Sequence, residues 1–218
     1  LKSHTFHCFA PLCTQNTPRS QISTICAIFH QFNGGMIMDT IKINKKNAVL
    51  VAHRGLSSIE PENTNSAFVA AGNRSYFGIE CDVHVTKDGK FVVIHDAETG
   101  RVAKENINVE ESTFEEVRKV ILDNTTRQQK SAFPDVHTQD RGDLIIPSMS
   151  EYISICKKYD KKCILEIKGE WSVESIDNMI EEIKGLEYLE NVIFISFGLS
   201  NLVALRKRLP KQNKGFNE

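Results

Sequence analysis

Five short apolar runs alternate with helical segments along the chain, and this alternation sets the tightest limit on its fold. Each run has four to eight residues and is rich in Val, Ile or Phe, as is typical of buried β-strands. Strands that alternate with helices favour an α/β fold with a mostly parallel sheet. We predict strands at residues 48–52, 78–85, 91–94, 163–167 and 192–197. We predict helices at residues 65–73, 113–122, 149–159, 174–184 and 199–208.

Capping side chains support three of the predicted helices. Ser112-Thr113-Phe114-Glu115 and Ser148-Met149-Ser150-Glu151 have the capping-box pattern, in which a hydroxyl and a carboxylate satisfy free backbone N–H groups. Asn63 or Thr64 would cap the helix that begins at residue 65. Residues 123–146 are polar and irregular, and we predict that they form a surface excursion.

One pair of strands breaks the parallel pattern. Lys87-Asp88-Gly89-Lys90 separates the second and third strands, and Asp-Gly is a strong signal for a two-residue hairpin turn. With Asp88 and Gly89 as the turn, Asp82 and His95 lie opposite each other. The sequence therefore predicts an antiparallel pair that brings His95 beside the acidic residues of the preceding strand.

Polar residues interrupt or end four of the predicted strands. Because residues i and i+2 of a strand share a face, Glu80, Asp82 and His84 point the same way, and so do Glu166 and Lys168. Acids and imidazoles are poor core residues, so their place in apolar runs indicates a functional site. Two imidazoles, three carboxylates and two cations favour metal-assisted chemistry on an anionic ester. The polar groups are His53-Arg54-Gly55, Glu80-Cys81-Asp82, His95-Asp96 and Glu166-Ile167-Lys168.

Composition argues against several other classes of protein. A net charge of −1 gives no basis for binding nucleic acid, and no apolar run reaches the roughly 18 residues of a transmembrane helix. Six cysteines in 218 residues do not form a disulfide framework. We therefore predict a reducing, cytoplasmic location.

The beginning of the chain shows no sustained period, and its first residue is Leu1 rather than Met. We predict that residues 1–47 are an unstructured or non-native extension, with Met36 and Met38 as alternative starts, and that residues 48–218 form one domain. Five side chains of this segment have the chemistry of zinc ligands, but their spacing fits no standard ligand pattern, so we do not predict a zinc site there. The five side chains are His4, His7, Cys8, Cys13 and His30.

Six motifs in a fixed order resemble the signature series of the glycerophosphodiester phosphodiesterase family. Each motif alone is weak, but the ordered set is specific and covers residues 48–210. The motifs are Val51-Ala52-His53-Arg54-Gly55, Pro61-Glu62-Asn63-Thr64, Glu80-Cys81-Asp82-Val83, Thr86-Lys87-Asp88-Gly89, Val92-Val93-Ile94-His95-Asp96 and Leu165-Glu166-Ile167-Lys168. Residues 146–151 and 196–197 are similar to two further segments of the family.

The resemblance implies a TIM barrel with a divalent metal, Mg²⁺, Ca²⁺ or Mn²⁺, at the carboxyl ends of its strands. It also implies a small-molecule substrate, a glycerophosphodiester, that is hydrolysed to glycerol 3-phosphate and an alcohol. Which histidine is the acid and which the base is left open. The implied roles are metal binding by Glu80, Asp82 and Glu166, acid–base catalysis by His53 and His95, and phosphate binding by Arg54 and Lys168.

Three further residues are candidates to line the mouth of the site. His84 shares the face of Glu80 and Asp82, so it is a further candidate to line the mouth of the site. Glu62 either lines the site or only caps the following helix. Asn63 has a mainly structural role in our prediction.

The number of strands departs from the family pattern. A TIM barrel has eight strands and about 250 residues, whereas the sequence predicts five strands. We therefore expect a barrel truncated after about five strands, with open edges that oligomerisation would cover. Two alternative functions follow, namely a lysophospholipase D-like or lyase activity at the same site, and an inactive fragment that binds only metal or phosphate.

Overall fold

The computed structural model describes residues 25–26, 41, 43, 48–126 and 141–211 of the 218-residue chain. The five candidates for a zinc site lie outside the described residues. Most of the predicted extension at residues 1–47 lies outside them too, so the boundary at residue 48 stays a prediction.

Six strands form a single sheet in the described part of the chain. They are β1 (Ile25–Cys26), β2 (Leu50–Ala52), β3 (Gly78–Val85), β4 (Phe91–Val93), β5 (Lys162–Ile167) and β6 (Val192–Ser196). Four of them, β2, β3, β5 and β6, run parallel in that order. β1 pairs antiparallel with β2, and β4 pairs antiparallel with β3. The five strands predicted from the sequence are all present, whereas β1 was not predicted.

Strand β3 is the longest strand and has different partners along its two edges. Its residue Val83 pairs with Ile167 of β5 and also with Val93 of β4, so β4 lies on the edge opposite β5. β2 occupies that same edge near the start of β3, where Val51 pairs with Gly78. The loops that follow β2 and β4 therefore meet beside the middle of β3.

The turn between β3 and β4 has three residues instead of the predicted two. Gly89 has a left-handed φ of +73°, and its N–H donates to the carbonyl of Thr86 at 2.9 Å. Such a glycine is usual in three-residue hairpin loops, and the extra residue shifts the register by one. The predicted pairing of Asp82 with His95 is therefore wrong, because Ile94 N–H donates to the Asp82 carbonyl at 3.0 Å. The antiparallel pairing itself is confirmed.

Five helices follow the predicted pattern closely. They are α1 (Asn65–Gly72), α2 (Phe114–Lys119), α3 (Met149–Lys158), α4 (Val173–Gly185) and α5 (Leu199–Arg208). Thr64 caps α1, and Ser148 with Glu151 forms the predicted capping box of α3. The capping box of α2 is formed by Thr113 and Glu116, one residue later than predicted.

Buried apolar side chains form two clusters. The larger one joins the sheet to helices α1, α3, α4 and α5. Tyr152 of α3 anchors this contact, because its hydroxyl donates to the carbonyl of Ile79 at 2.6 Å. The smaller cluster contains Leu144 and Ile146, both without exposed surface. The prediction of a surface excursion at residues 123–146 is therefore wrong at its C-terminal end, while residues 127–140 lie outside the described part.

The sheet stays open in the described residues. β6 pairs with β5 along one edge, and none of the described strands pairs with its other edge. The predicted α/β fold with an incomplete barrel is confirmed. A search of the described helices finds none with the length and apolar character needed to cross a bilayer.

Candidate active site

The candidate site lies where the parallel strands end, beside β3. Alternation along β3 turns Cys81 and Val83 into the apolar core and leaves Glu80 and Asp82 on the opposite face. Asp82 lies directly across from Glu166 of β5 in the parallel register. Three acidic side chains from two strands are thereby brought together, as the family resemblance implied.

The three carboxylates form a compact and buried cluster. One carboxylate oxygen each of Glu80, Asp82 and Glu166 lies within 4.8 Å of the others. Relative exposures of these residues are 2%, 0% and 8%, respectively. Burial and the neighbouring charge of Asp82 raise the pKa of Glu80 well above its usual value. A buried anionic cluster is costly unless cations compensate it.

The donor set of this cluster fits a divalent cation. Glu80 Oε1 is buried without a hydrogen-bond partner, although its other oxygen accepts a hydrogen bond. A hard divalent cation takes several carboxylate oxygens as ligands, and it would satisfy that oxygen. The residues present are therefore suited to Mg²⁺, Ca²⁺ or Mn²⁺.

Two basic side chains neutralise part of the acidic cluster. Arg54 Nε lies 3.2 Å from Asp82 Oδ2. Lys168 Nζ lies 3.0 Å from Asp82 Oδ1 and 2.6 Å from Glu166 Oε1. Burial alone would raise the pKa of Asp82, but Arg54, Lys168 and a hydrogen bond from Asn63 outweigh it, so that pKa is lowered. Both predicted phosphate-binding cations thus lie at the cluster.

The loop after β2 holds these groups through an unusual backbone. Arg54 and Asn63 have left-handed φ values of 56° and 54°. Asn63 N–H donates to the Arg54 carbonyl at 3.0 Å, and Asn63 Nδ2 donates to Asp82 Oδ2 at 2.8 Å. Arg54 N–H donates to Glu80 Oε2 at 2.7 Å. A left-handed backbone costs energy at residues other than glycine. The hydrogen bonds of Arg54 and Asn63 with each other and with Glu80 and Asp82 offset that cost.

The glycine that follows Arg54 is required by a close approach of the chain. Gly55 has a φ of +74°, and a Cβ there would lie 2.7 Å from the Cβ of Ala67 in α1. The His-Arg-Gly order therefore lets the loop pack directly against α1 while it presents both preceding side chains to the cluster.

The two candidate acid–base histidines approach the cluster from adjacent loops. His53 Nε2 lies 3.8 Å from Glu80 Oε2. Burial and the charge of Arg54 lower the pKa of His53 to about 4, so its imidazole is neutral near pH 7. His95 lies close enough to His53 and Asp82 to act on both electrostatically. Its Nδ1 is hydrogen-bonded to Asp96 Oδ1 at 2.6 Å.

Glu62 and His84 both contact residues of the site. Glu62 Oε1 accepts a hydrogen bond from Arg54 NH1 at 2.9 Å, whereas the cap of α1 is Thr64. His84 is 4% exposed, and its Nε2 contacts the carbonyl of His95 at 3.1 Å. His84 Nδ1 contacts Glu110 Oε1 at 2.8 Å. His84 thus contacts the backbone of the loop that carries His95.

Two contributors were missed by sequence reasoning. Arg101 donates to Glu62 and to Asp96, and Glu110 pairs with His84. Neither residue lies in a predicted strand or in a motif, because both come from the irregular segment after β4. The one available signal was that Asp96 and Glu62 have no arginine or lysine beside them in their own motifs, which indicates a cation from elsewhere in the chain.

Comparison with known proteins finds relatives that match most of this chain. A glycerophosphodiester phosphodiesterase of Caldanaerobacter subterraneus is 34% identical over 164 residues, which cover 74% of this chain and 63% of the relative. An uncharacterised protein of Mycoplasma genitalium is 33% identical over 174 residues, which cover 77% of this chain and 66% of the relative. The chain thus spans slightly less than two thirds of the length of these relatives.

Solved structures show the same fold. A phosphodiesterase of Oleispira antarctica in complex with the product sn-glycerol-3-phosphate aligns with a TM-score of 0.60 at 23% identity, covering 74% of this chain and 62% of that chain. A glycerophosphodiester phosphodiesterase of Agrobacterium tumefaciens aligns with a TM-score of 0.61 at 21% identity, covering 75% of this chain and 64% of that chain. These neighbours support the incomplete TIM barrel described above.

The family match extends over the whole of the candidate site. The model of the glycerophosphoryl diester phosphodiesterase family matches residues 53–217, which begin at the first candidate histidine and include every candidate site residue. This is well over half of the 218 residues. The chain therefore belongs to the glycerophosphoryl diester phosphodiesterase family.

Proposed function

We propose that this chain carries out metal-dependent hydrolysis of glycerophosphodiesters to glycerol 3-phosphate and an alcohol. The observation that carries the proposal is the buried carboxylate cluster with two cations and two imidazoles at its edge. The name of the Caldanaerobacter relative and the product bound in the Oleispira structure support this substrate class.

In this proposal Glu80, Asp82 and Glu166 hold the divalent cation. Their close spacing and the unsatisfied oxygen of Glu80 support that role. When bound, the cation supplies positive charge that stabilises the negative charge gained by the phosphoryl oxygens in the transition state.

Arg54 and Lys168 bind the phosphate and orient it. Both cations border the carboxylate cluster, so a phosphate held by them lies beside the metal ligands. The Lys168 ammonium is a mobile point charge, whereas the Arg54 guanidinium is planar and can bind two phosphate oxygens at once. Orientation of the ester toward the imidazoles is their main contribution to rate.

His53 and His95 share the proton transfers. One imidazole takes the proton of the attacking hydroxyl. If water attacks, glycerol 3-phosphate forms directly; if a neighbouring hydroxyl of the substrate attacks, a cyclic phosphate forms first and water must then open it to glycerol 3-phosphate. The other imidazole gives a proton to the departing alkoxide, which would otherwise be a poor leaving group. The neutral state of His53 near pH 7 suits it to accept a proton.

A reducing, cytoplasmic location remains part of the proposal. Cys81, Cys156 and Cys163 are free and buried. Buried free thiols behave as small apolar residues and do not require an oxidising compartment.

The test is release of glycerol 3-phosphate from glycerophosphocholine and glycerophosphoethanolamine, with and without EDTA. We expect release that EDTA abolishes and that added divalent metal restores. Release of lysophosphatidic acid and the head-group alcohol from a lysophospholipid, without cleavage of the two glycerophosphodiesters, would favour the lysophospholipase D-like alternative. A cyclic phosphate as the final product would favour the lyase. A folded chain that binds metal but releases no product would be the binding-only fragment.

A further inference from the structure

We propose that Arg101 is a positioning residue that joins the two halves of the site, the loop of His95 and the loop of Arg54. This inference rests on the proposed function for its kinetic readout. Arg101 lies outside every motif of the sequence, on the single turn of 3-10 helix at Thr99–Arg101. Its guanidinium bridges two carboxylates that belong to different loops.

The first arm of the bridge reaches His95 through Asp96. Arg101 Nε donates to Asp96 Oδ2, and Asp96 Oδ1 bonds His95 Nδ1 at 2.6 Å. A carboxylate that accepts from Nδ1–H fixes the ring orientation and leaves Nε2 as the nitrogen that meets the substrate. The Asp96 carboxylate would be free to rotate away without the guanidinium that holds its second oxygen.

The second arm reaches Arg54 through Glu62. Arg101 NH2 donates to Glu62 Oε1 at 2.8 Å, and the same oxygen accepts from Arg54 NH1 at 2.9 Å. The Glu62 side chain is only 7% exposed, so its charge needs compensation by cations. Arg101 and Arg54 provide it together.

The geometry of the bridge requires an arginine. Nε and NH2 lie on one edge of the planar guanidinium, so one side chain donates to both carboxylates at fixed spacing. A lysine offers a single ammonium and could not hold the two carboxylates at that spacing.

The turn that carries Arg101 is itself anchored. The Thr99 hydroxyl is fully buried and donates to the Glu105 carbonyl at 2.6 Å, and Gly100 N–H donates to Asn106 Oδ1 at 2.7 Å. The guanidinium is 41% exposed, and an isolated ion pair at that exposure would contribute little to stability. We therefore assign its effect to the orientation of His95 rather than to folding.

The kinetic test is a double-mutant cycle with Arg101→Gln and Asp96→Asn in the assay of glycerol 3-phosphate release. We expect Arg101→Gln to lower kcat by about tenfold or more and to change KM by less than about twofold. Misplacement of a catalytic group slows the chemical step but has little effect on the binding of the substrate. Because Arg101 reaches His95 only through Asp96, we expect the two losses to be less than additive, and the double variant to fall below Asp96→Asn only by the part that Arg101 contributes through Glu62 and Arg54. Additive losses, or a rise in KM with kcat unchanged, would overturn the proposal in favour of direct contact with the substrate.

A second measurement is independent of catalysis. In the ¹⁵N-histidine NMR spectrum, with His95 assigned by its loss in His95→Gln, we expect Arg101→Gln to shift the His95 ring nitrogens. The matched control is Arg208→Gln, which breaks the ion pair between Arg208 of α5 and Asp177 of α4. This variant should leave the resonances of the His95 ring nitrogens unchanged. If the resonances of the His95 ring nitrogens did not shift in a folded Arg101→Gln variant, the proposed bridge would be wrong. If the wild type released no product while this shift was seen, the proposed function would fail and the bridge would stand.

Discussion

At the scale of single residues, the site has more negative than positive charge. The carboxylates of Glu80, Asp82 and Glu166 face the two cations Arg54 and Lys168, which leaves one negative charge uncompensated. A divalent cation would reverse the sign of this carboxylate cluster with its two cations and favour the binding of a phosphodiester monoanion beside it. The excess of acid is thus consistent with a site that is complete only with metal and substrate.

The two candidate acid–base residues give a direct prediction. Replacing either His53 or His95 by Ala should lower turnover of glycerophosphocholine by about 10²-fold or more, because each removes one proton transfer. Both side chains are about one-third exposed, 32% in each case, so neither substitution should unfold the protein. Circular dichroism controls for folding, and near-wild-type turnover in both folded variants would exclude them as acid and base.

How far the sequence predicted the site depends on where each residue lies. Strand alternation predicted that Glu80 and Asp82 share a face, and the family resemblance implied that Glu166 joins them; the parallel register of β3 and β5 brings the three together. Arg101 was not predicted, because its contacts to Asp96 and Glu62 join segments whose relative position is set only by the folded chain. Loop residues that act across the site carry no periodic signal.

At the scale of elements, β3 organises the site because β2 and β4 share one of its edges. This sharing, rather than the predicted pairing across the hairpin, brings the His95 loop beside the His53 loop. The sequence predicted the hairpin but not its register, since Asp-Gly is compatible with loops of two or three residues and only the strand pairing, in which Val85 lies opposite Phe91, distinguishes them.

Gly89 therefore offers a test at the scale of the hairpin. Gly89→Ala should lower the free energy of unfolding by about 1 kcal/mol, since a left-handed backbone is costly for residues with a Cβ. A Cβ at Gly89 would meet no atom within 4 Å, so this cost comes from the backbone alone. Gly142→Ala is the matched control, because Gly142 has equal space and no left-handed φ. Equal stability of the two variants in urea denaturation would contradict a left-handed backbone at Gly89.

At the scale of the whole molecule, the described sheet has an open edge at β6. Ile193 and Ile195 of this strand are half-buried, and the nearby side chains of Phe197 and Leu199 are 67% and 73% exposed. The number of strands predicted from the sequence already indicated an open sheet. It did not predict that β1 would pair with β2 at the other end of the sheet.

The open edge leads us to expect self-association of this chain. Unpaired strand edges with apolar neighbours pair readily with a second copy. Light scattering after size-exclusion chromatography should show dimers or larger species, and Phe197→Ser with Leu199→Ser should shift them toward monomer. Ile121→Ser is the control, since Ile121 is exposed at 42% but lies away from β6. A wild-type chain that stays monomeric at every concentration would contradict the expectation.

The most direct measurement is a calorimetric titration of the purified chain with Mg²⁺, Ca²⁺ and Mn²⁺. We expect one divalent ion to bind per chain, and Glu80→Gln to abolish that binding because it removes a buried ligand charge from the cluster. Glu174→Gln changes an exposed carboxylate in the first turn of α4 and should bind as the wild type does. A wild type that binds none of the three ions, or binding that survives Glu80→Gln unchanged, would contradict a metal site at the carboxylate cluster.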